Sequence, residues 1–232
     1  MALESLPELA YALVGEEGIA VNLLGPSVAT VALPTAGVVQ LAQRTEYPFA
    51  SSARIEVEPQ HPAEFSLRIR RPDWVHGATL RLNGAALELP ASALGYWSID
   101  RRWCAGDVIS IDLPMPVRAH RRSQRSVQES LAPDGTEVSQ EVLRLDYLAL
   151  TRGPLVYATG LIDGYKIADT FRMPDQSLAD SQEAFDVTQA AAGGALQWRA
   201  PGRAPVPFLP YYRVGDRRDG AWRLTWLSLA PQ

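Results

Sequence analysis

Three short segments decide the fold: residues 64–70 (EFSLRIR), 79–89 (TLRLNGAALEL) and 109–113 (ISIDL). In the first and third, apolar and polar residues alternate, and this period of two is typical of a strand with one buried face. The second contains Asn83-Gly84, a pair that favours the positive φ angles of a two-residue type I′ turn. The segments therefore predict two strands and a tight β-hairpin.

Further short strand candidates follow the same pattern along the chain, each bounded by Gly, Pro or Ser. They lie on both sides of residues 114–116 (PMP), which break the pattern, and residues 118–140 predict an exposed hairpin or loop. The sequence contains neither a βαβ alternation nor an internal repeat. It predicts an all-β chain of two tandem antiparallel β-sandwich domains of jelly-roll-like type. The one exception is Leu3–Val14, whose apolar spacing predicts a short N-terminal helix.

Composition and charge argue against several classes of protein. The chain has 232 residues, a formal net charge of −4 and one cysteine. Its basic residues are scattered among acidic ones, so we expect no nucleic-acid partner. A single cysteine supports neither an internal disulfide nor a thiolate zinc site. No apolar run approaches a membrane span, and Glu4 and Glu8 stand where a signal peptide carries positive charge, so a cytoplasmic protein with no membrane partner is expected.

Known catalytic motifs are missing from the sequence. His61, His76 and His120 have no partners at metal-ligand spacing, and the nearest match to a nucleophile elbow, residues 25–29, lacks its final glycine. Cys104 follows two arginines that could activate a thiol, but no histidine base is near it in sequence. We therefore predict no catalytic residue and no metal ligand in this chain.

Four aromatic residues form the one candidate binding site: Trp74, Tyr96, Trp97 and Trp103, which occur close together at predicted strand ends and turns. Flat rings at such positions can stack on the faces of sugars while polar neighbours bind the hydroxyls. Tryptophans in a β-sandwich also serve as core residues, and core packing is the more common role. The sequence leaves both interpretations open, a carbohydrate platform and core packing.

Several strings of the sequence occur in a characteristic order and spacing. They are Phe65–Trp74 (FSLRIRRPDW), Leu80–Gly84 (LRLNG), Gly95-Tyr96, Ile99–Trp103 (IDRRW), Gly106-Asp107, Leu113–Arg118 (LPMPVR) and Leu150–Tyr157 (LTRGPLVY). In that order they resemble the C-terminal part of the β-L-arabinofuranosidase family, glycoside hydrolase family 127. The closing Phe208–Tyr212 and Trp222–Leu229 resemble its final strands, so the resemblance spans nearly the whole chain.

The resemblance implies enzymes built as an (α/α)6 catalytic barrel followed by two β-sandwich domains, which cleave terminal β-L-arabinofuranosyl units with retention. It also implies a cysteine nucleophile held on zinc by neighbouring cysteines and a glutamate, all within the barrel and upstream of the matched region. Residues 1–17 then correspond to a remnant helix of the catalytic domain, residues 18–117 to the first (middle) sandwich and residues 118–232 to the second (C-terminal) sandwich. Cys104 does not align with the nucleophile, so zinc is expected only in the barrel and no cofactor in this chain.

The function hypothesis that follows is a non-catalytic accessory region that caps and supports a barrel and is inactive alone. The alternative is a free-standing carbohydrate-binding module or accessory subunit for arabinose-containing glycans. The expected partners are a catalytic barrel in cis or in trans and a plant-type arabinose-containing glycan. A tendency to form a homodimer is also expected, because a part that has lost its barrel exposes an apolar patch.

Overall fold

The computed structural model describes residues 9–88, 95–160, 185–187, 194–198, 206–214 and 223–228. The chain separates into two compact units, residues 1–115 and 116–232. Almost all regular structure in the described residues is β-strand, which confirms the all-β prediction. Among these residues, no helix has the length and apolarity needed to cross a membrane.

The described strands of the first unit are short and follow one another closely. They are β1 (Tyr11–Leu13), β2 (Gly18–Val21), β3 (Ser27–Leu33), β4 (Gly37–Thr45), β5 (Ser52–Pro59), β6 (Ala63–Arg70), β7 (Thr79–Leu82), β8 (Ala85–Leu87), β9 (Tyr96–Trp103) and β10 (Asp107–Asp112). They form a four-stranded sheet in the order β1-β2-β6-β9 and a six-stranded sheet in the order β3-β4-β5-β10-β7-β8.

The two sheets of the first unit share one hydrophobic core. Ile19, Leu67 and Ile99 of the four-stranded sheet and Leu41 and Ile109 of the six-stranded sheet belong to a single cluster of buried side chains. Because side chains alternate between the faces of a strand, each sheet turns one apolar face to this core and the other to solvent. The position of the core therefore determines which side chains of each strand in this unit point inward and which point to solvent.

The segments that predict the fold form the expected elements. Phe65, Leu67 and Ile69 of β6 are buried, and the polar residues between them are not. Strands β7 and β8 form a hairpin whose two loop residues, Asn83 and Gly84, have φ angles of 50° and 85°. Positive φ at both loop positions is the signature of the predicted type I′ turn.

Two details of the first unit differ from the sequence predictions. Strand β2 runs parallel to β6, with Gly18 opposite Ser66, although antiparallel pairing was expected throughout. Parallel neighbours cannot be joined by a tight turn, and here the chain forms β3, β4 and β5 between them. Local periodicity carries no information about this pairing, because it depends on segments far apart in sequence.

The second difference concerns the N-terminal helix. Residues 1–8 lie outside the described residues, and the helix prediction is wrong for Tyr11–Leu13, which form β1. This strand pairs antiparallel with β2, and the Val14 N–H donates to the Gly18 carbonyl at 2.8 Å. Leu9, Ala10, Leu13 and Val14 have the three- and four-residue spacing of a helix, but residues 11–13 pair with β2 instead, and Gly15, with φ 63°, makes the turn between the two strands.

The described strands of the second unit belong to one sheet system. They are β11 (Val117–Leu131), β12 (Glu137–Arg152), β13 (Leu155–Gly160), β14 (Phe185–Val187), β15 (Leu196–Trp198), β16 (Val206–Pro210), β17 (Arg223–Leu224) and β18 (Leu227–Ser228). The order is β11-β12-β13-β16-β15-β14, with β17 beside β13 and β18 beside β12. A smaller core contains Leu148, Leu150, Tyr157 and Phe208.

Strands β11 and β12 form a long antiparallel hairpin, which we call the ribbon. Its turn lies at residues 132–136, where the Gly135 N–H donates to the Ala132 carbonyl at 2.9 Å. Val117 and Ala119 at its base pack against the core of the second unit. From His120 to Leu131 every residue of β11 is exposed. The exposed hairpin predicted for residues 118–140 is therefore confirmed.

Candidate functional site

Strand β9 divides the predicted aromatic residues between its two faces. Trp97 and Trp103 are 5% and 0% exposed and belong to the core of the first unit. Tyr96 lies on the opposite face and is half-buried, and so is Trp74 in the loop after β6. Tyr96 and Trp74 therefore remain partly at the surface, although Trp74 also packs against the core, whereas the rings of Trp97 and Trp103 are closed to a sugar.

The contacts of Trp103 explain its burial. Its indole N–H donates to the Phe65 carbonyl at 3.0 Å, and its ring stacks on the Phe65 ring with centroids 5.7 Å apart. The Arg101 guanidinium carbon lies 5.3 Å from the centre of the indole ring. A buried indole needs a partner for its N–H, and a guanidinium against an aromatic ring adds a cation–π attraction. Trp103 thus joins β9 to β6 from inside the core.

Trp74 and Tyr96 belong to a group of side chains where β6 ends and β9 begins, which we call the aromatic cluster: Asn22, Tyr47, Arg70, Trp74 and Tyr96. The Tyr96 hydroxyl donates to Oδ1 of Asn22 at 2.7 Å, and Arg70 is the cross-strand neighbour of Tyr96. Trp74 and Tyr47 share a side-chain hydrogen bond, in which the indole N–H must be the donor. Arg70 relates the two hydrogen-bonded pairs, because it lies opposite Tyr96 in the ladder and its charge acts on Tyr47.

The electrostatics of the cluster keep Tyr47 protonated. Burial raises the pKa of the Tyr47 hydroxyl above its ordinary value of 10.0. The hydrogen bond from Trp74 and the nearby Arg70 guanidinium oppose this rise without cancelling it. At neutral pH the hydroxyl is therefore both donor and acceptor. Half-buried rings beside such groups can contact the apolar face of a sugar and bind its hydroxyls.

Sequence reasoning missed Asn22, Tyr47 and Arg70 as members of this cluster. Tyr47 lies between β4 and β5 of the other sheet, and only the packing of the two sheets brings it to Trp74. The burial of Trp97 and Trp103, in contrast, could have been predicted from the sequence. Both share the odd-numbered face of β9 with Ile99, and this period of two distinguishes them from Tyr96.

The turn that contains Cys104 has a structural network around Asp107. The Asp107 carboxylate accepts the Cys104 backbone N–H at 2.9 Å and an Asn83 side-chain N–H at 2.7 Å, and it lies 3.7 Å from the Arg101 guanidinium. Oδ1 of Asn83 accepts the Val108 N–H at 2.8 Å. The Cys104 thiol is exposed and takes no part in this network. The network ties two turns together and has no reacting group.

A zinc site of the kind implied by the resemblance does not fit the residues of this chain. Such a site needs several cysteines, and the sequence has one, the exposed Cys104. In the part of the chain that the structure describes, no three His, Cys, Asp or Glu side chains are grouped to hold a metal. No reaction step is therefore assigned to a metal here.

Two open grooves lie on the solvent faces of the first unit. One, of about 640 Å³, crosses the six-stranded sheet and includes Arg44, Arg54 and Arg81. Nε of Arg44 and Nε of Arg54 lie 3.4 Å and 3.3 Å from the Glu56 carboxylate. The other, of about 820 Å³, lies beside the four-stranded sheet and is lined mainly by charged residues. None of the four predicted aromatic residues lines either groove, so neither offers their rings as a stacking platform.

Comparison with known proteins shows which family the sequence is similar to. The family model described as the β-L-arabinofuranosidase GH127 middle domain matches residues 18–115. A search of curated proteins finds no match to the sequence.

Solved structures resemble nearly the whole chain. A β-L-arabinofuranosidase of glycoside hydrolase family 127 from Geobacillus stearothermophilus T6 has a TM-score of 0.65 at 23% identity over 97% of this chain and 36% of its own. A structure described as a glycoside hydrolase has a TM-score of 0.69 at 27% identity over 99% and 38%. A β-arabinofuranosidase of family 127 has a TM-score of 0.66 at 20% identity over 97% and 37%.

The chain therefore spans little more than a third of each of these proteins. The family model and the solved structures point to the same family that the quoted strings resemble. Residues 18–115 of this chain match the middle-domain model of glycoside hydrolase family 127, and nearly the whole chain is similar in fold to solved structures of that family.

Proposed function

We propose that the chain is a non-catalytic accessory region of a β-L-arabinofuranosidase-like glycoside hydrolase, which caps and supports an (α/α)6 barrel outside these 232 residues. In this proposal residues 18–117 and 118–232 are two β-sandwich domains, and zinc binds only in the barrel. The main support is the extent of the similarity: 97–99% of this chain aligns, but only 36–38% of each solved hydrolase.

An exposed apolar edge of the first unit is the surface that we assign to the barrel. Leu9, Leu13 and Val28 are 60%, 57% and 63% exposed. Leu9 and Leu13 flank Tyr11, whose hydroxyl bonds to the Ser27 hydroxyl at 2.9 Å and so links β1 to the start of β3, where Val28 lies. Contacts between domains bury apolar surface of this kind. Since the resemblance places the barrel before the two sandwich domains and β1 begins the described strands of the first unit, the barrel would lie beside this edge.

A carbohydrate-binding module is the second candidate function, and the aromatic cluster is the observation that favours it. Trp74 and Tyr96 are half-buried rings with hydrogen-bonding neighbours, which suits a site for an arabinose-containing glycan. Trp97 and Trp103 cannot contribute while they are in the core. This alternative therefore depends on two of the four predicted aromatic residues.

Affinity electrophoresis in gels that contain arabinan or arabinogalactan separates the two functions. The accessory role predicts the same mobility of the chain with and without glycan. The binding module predicts retardation that is lost on Trp74→Ala and kept on Tyr211→Ala, which removes an exposed ring outside the aromatic cluster. Retardation with that pattern would contradict the accessory role and support the carbohydrate-binding module.

A further inference from the structure

Three exposed arginines lie side by side across the solvent face of the six-stranded sheet. Arg44 of β4 lies opposite Arg54 of β5. On β10, Ser110 lies between Arg54 and Arg81 of β7, opposite each of them in its own ladder. Directly opposite residues share one face of a sheet, so all four side chains point the same way. We call these four residues the arginine row, and they line the groove of about 640 Å³ on this face.

The positive charges of the arginine row are only partly neutralised. Nε of Arg44 and Nε of Arg54 both contact the Glu56 carboxylate, so one negative charge serves two guanidinium groups. Arg81 forms no ion pair with the described residues, and its hydrogen bond there is to the Gly84 carbonyl at 3.3 Å. Like charges at neighbouring positions of a sheet repel one another. An anion held among these side chains would therefore stabilise this face.

Ser110 marks the position where such an anion fits. Neighbouring strands are about 4.8 Å apart, so the backbones at Arg54 and Arg81 are about 10 Å apart, with a short side chain between two long ones. The contact of Arg54 with Glu56 uses Nε, which leaves its terminal nitrogens for a ligand. A carboxylate above Ser110 can accept hydrogen bonds from both guanidinium groups and from the serine hydroxyl. That hydroxyl has no hydrogen bond to the described residues.

A second row of polar side chains lies next to the first in the same groove. Asp112 of β10 lies opposite Ser52 on one side and Thr79 on the other, and all three line the groove. Residues two apart in a strand lie about 7 Å apart on the same face, so Asp112 follows Ser110 at roughly the length of one sugar ring. A carboxylate and two hydroxyls bind neutral hydroxyl groups, whereas the charge of Asp112 repels a second anion.

We propose that this groove binds a sugar acid, a hexuronate whose carboxylate lies above Ser110 between Arg54 and Arg81 and whose ring hydroxyls reach Asp112. A uronate has its carboxylate at one end of the ring and hydroxyls at the other, which matches the order of the two rows along β10. The groove volume of about 640 Å³ is in the range of small-molecule sites. The groove shares no residue with the aromatic cluster, and this inference does not depend on the function proposed above.

Isothermal titration calorimetry of the full chain at low salt tests the site with three probes: a trimer of galacturonic acid, the methyl ester of that trimer, and sodium sulfate. The wild type should bind the acid trimer at least about tenfold more tightly than the ester, which has the hydroxyls but no carboxylate. Arg54→Gln and Arg81→Gln should each weaken binding of the acid trimer about tenfold. Arg102→Gln, the same change on an exposed residue of β9 in the other sheet, should leave it unchanged.

Asp112→Ala distinguishes a sugar-acid site from a general anion site. Removal of this negative charge should strengthen sulfate binding, whereas loss of the hydroxyl acceptor should weaken binding of the acid trimer. Stronger binding of both probes would indicate an anion site only and would overturn the proposal. So would equal affinity of the wild type for the trimer and its ester, no binding of the trimer at about 10 mM, or unchanged binding by an Arg81→Gln variant that is folded by circular dichroism.

Discussion

At the scale of single residues, Trp103 connects the sequence motif IDRRW to the stability of the first unit. Its ring is fully buried against Phe65, and its N–H is satisfied by a backbone carbonyl of β6. Truncation of Trp103 to alanine would remove the buried ring and its hydrogen bond. It would leave a cavity lined by β6 and β9. The residue therefore acts on stability rather than on ligand binding.

Trp103→Ala should lower the free energy of unfolding by about 3–5 kcal/mol, the range for removing a large buried aromatic side chain. Urea denaturation followed by circular dichroism measures this change. Tyr96→Ala on the opposite face of β9 is the matched control and should cost clearly less, because Tyr96 is only half-buried. Equal losses for the two variants would contradict the placement of Trp103 in the core.

Asp107 gives the first unit a pH dependence of stability. Burial alone would raise the pKa of this carboxyl, but the Cys104 N–H, the Asn83 amide and the Arg101 guanidinium together hold its pKa below the ordinary value of 3.8. A carboxyl with a lower pKa in the folded state stabilises the fold in its ionised form. This stabilisation is fully present above the unfolded pKa near 3.8 and is lost as the pH falls through the lower folded pKa.

Asp107→Asn should therefore destabilise the chain at neutral pH, and the difference from the wild type should shrink as the pH falls below the ordinary carboxyl pKa of 3.8. Urea denaturation at a series of pH values between neutrality and acid measures the difference. Asp100→Asn, an exposed carboxylate on β9, is the control and should show a much smaller effect at every pH. A pH-independent cost of Asp107→Asn would mean that the charge of Asp107 does not stabilise the fold.

At the scale of elements, the β7–β8 hairpin has the most demanding backbone. Gly84 has a φ of 85°, and a Cβ at this position would meet no atom within 4 Å. Any cost of a side chain there is therefore conformational. Gly84→Ala should destabilise the chain by about 1–2 kcal/mol, which is the cost of the left-handed region for a residue with a Cβ.

Gly25→Ala is the matched control for this measurement. Gly25 also has open space around its Cβ position, but its φ is outside the strained region. Thermal or urea unfolding should show little change for Gly25→Ala and a clear loss for Gly84→Ala. The same small effect for both glycines would contradict the type I′ turn.

The elements also show how far sequence reasoning reaches. The β7–β8 hairpin was predictable because the Asn-Gly pair by itself favours the positive φ angles of a type I′ turn. Strand β1 was not, because Leu9, Ala10, Leu13 and Val14 have the three- and four-residue spacing of a helix, and the pairing with β2 overrides that local pattern. The parallel β2–β6 pair and the Tyr47–Trp74 hydrogen bond depend on contacts between distant segments, and no local pattern encodes them. In contrast, the alternation along β9 would have been sufficient to separate Trp97 and Trp103 from Tyr96.

At the scale of the whole molecule, the chain is similar in fold to one part of solved family 127 glycoside hydrolases. Residues 18–115 match the family 127 middle-domain model, and the aligned region is little more than a third of the solved family members. The one cysteine is exposed at a turn whose network is made by Asp107 and Asn83. The accessory role that we propose follows from the extent of this similarity.

The release of L-arabinose from a terminal β-L-arabinofuranosyl substrate tests this account most directly. The purified 232-residue chain is assayed with added zinc and a reducing agent, beside the Geobacillus stearothermophilus enzyme as a positive control. The account predicts no release above the rate without enzyme, and no change on Cys104→Ser. Zinc-dependent release by the wild-type chain that is lost on Cys104→Ser would contradict it.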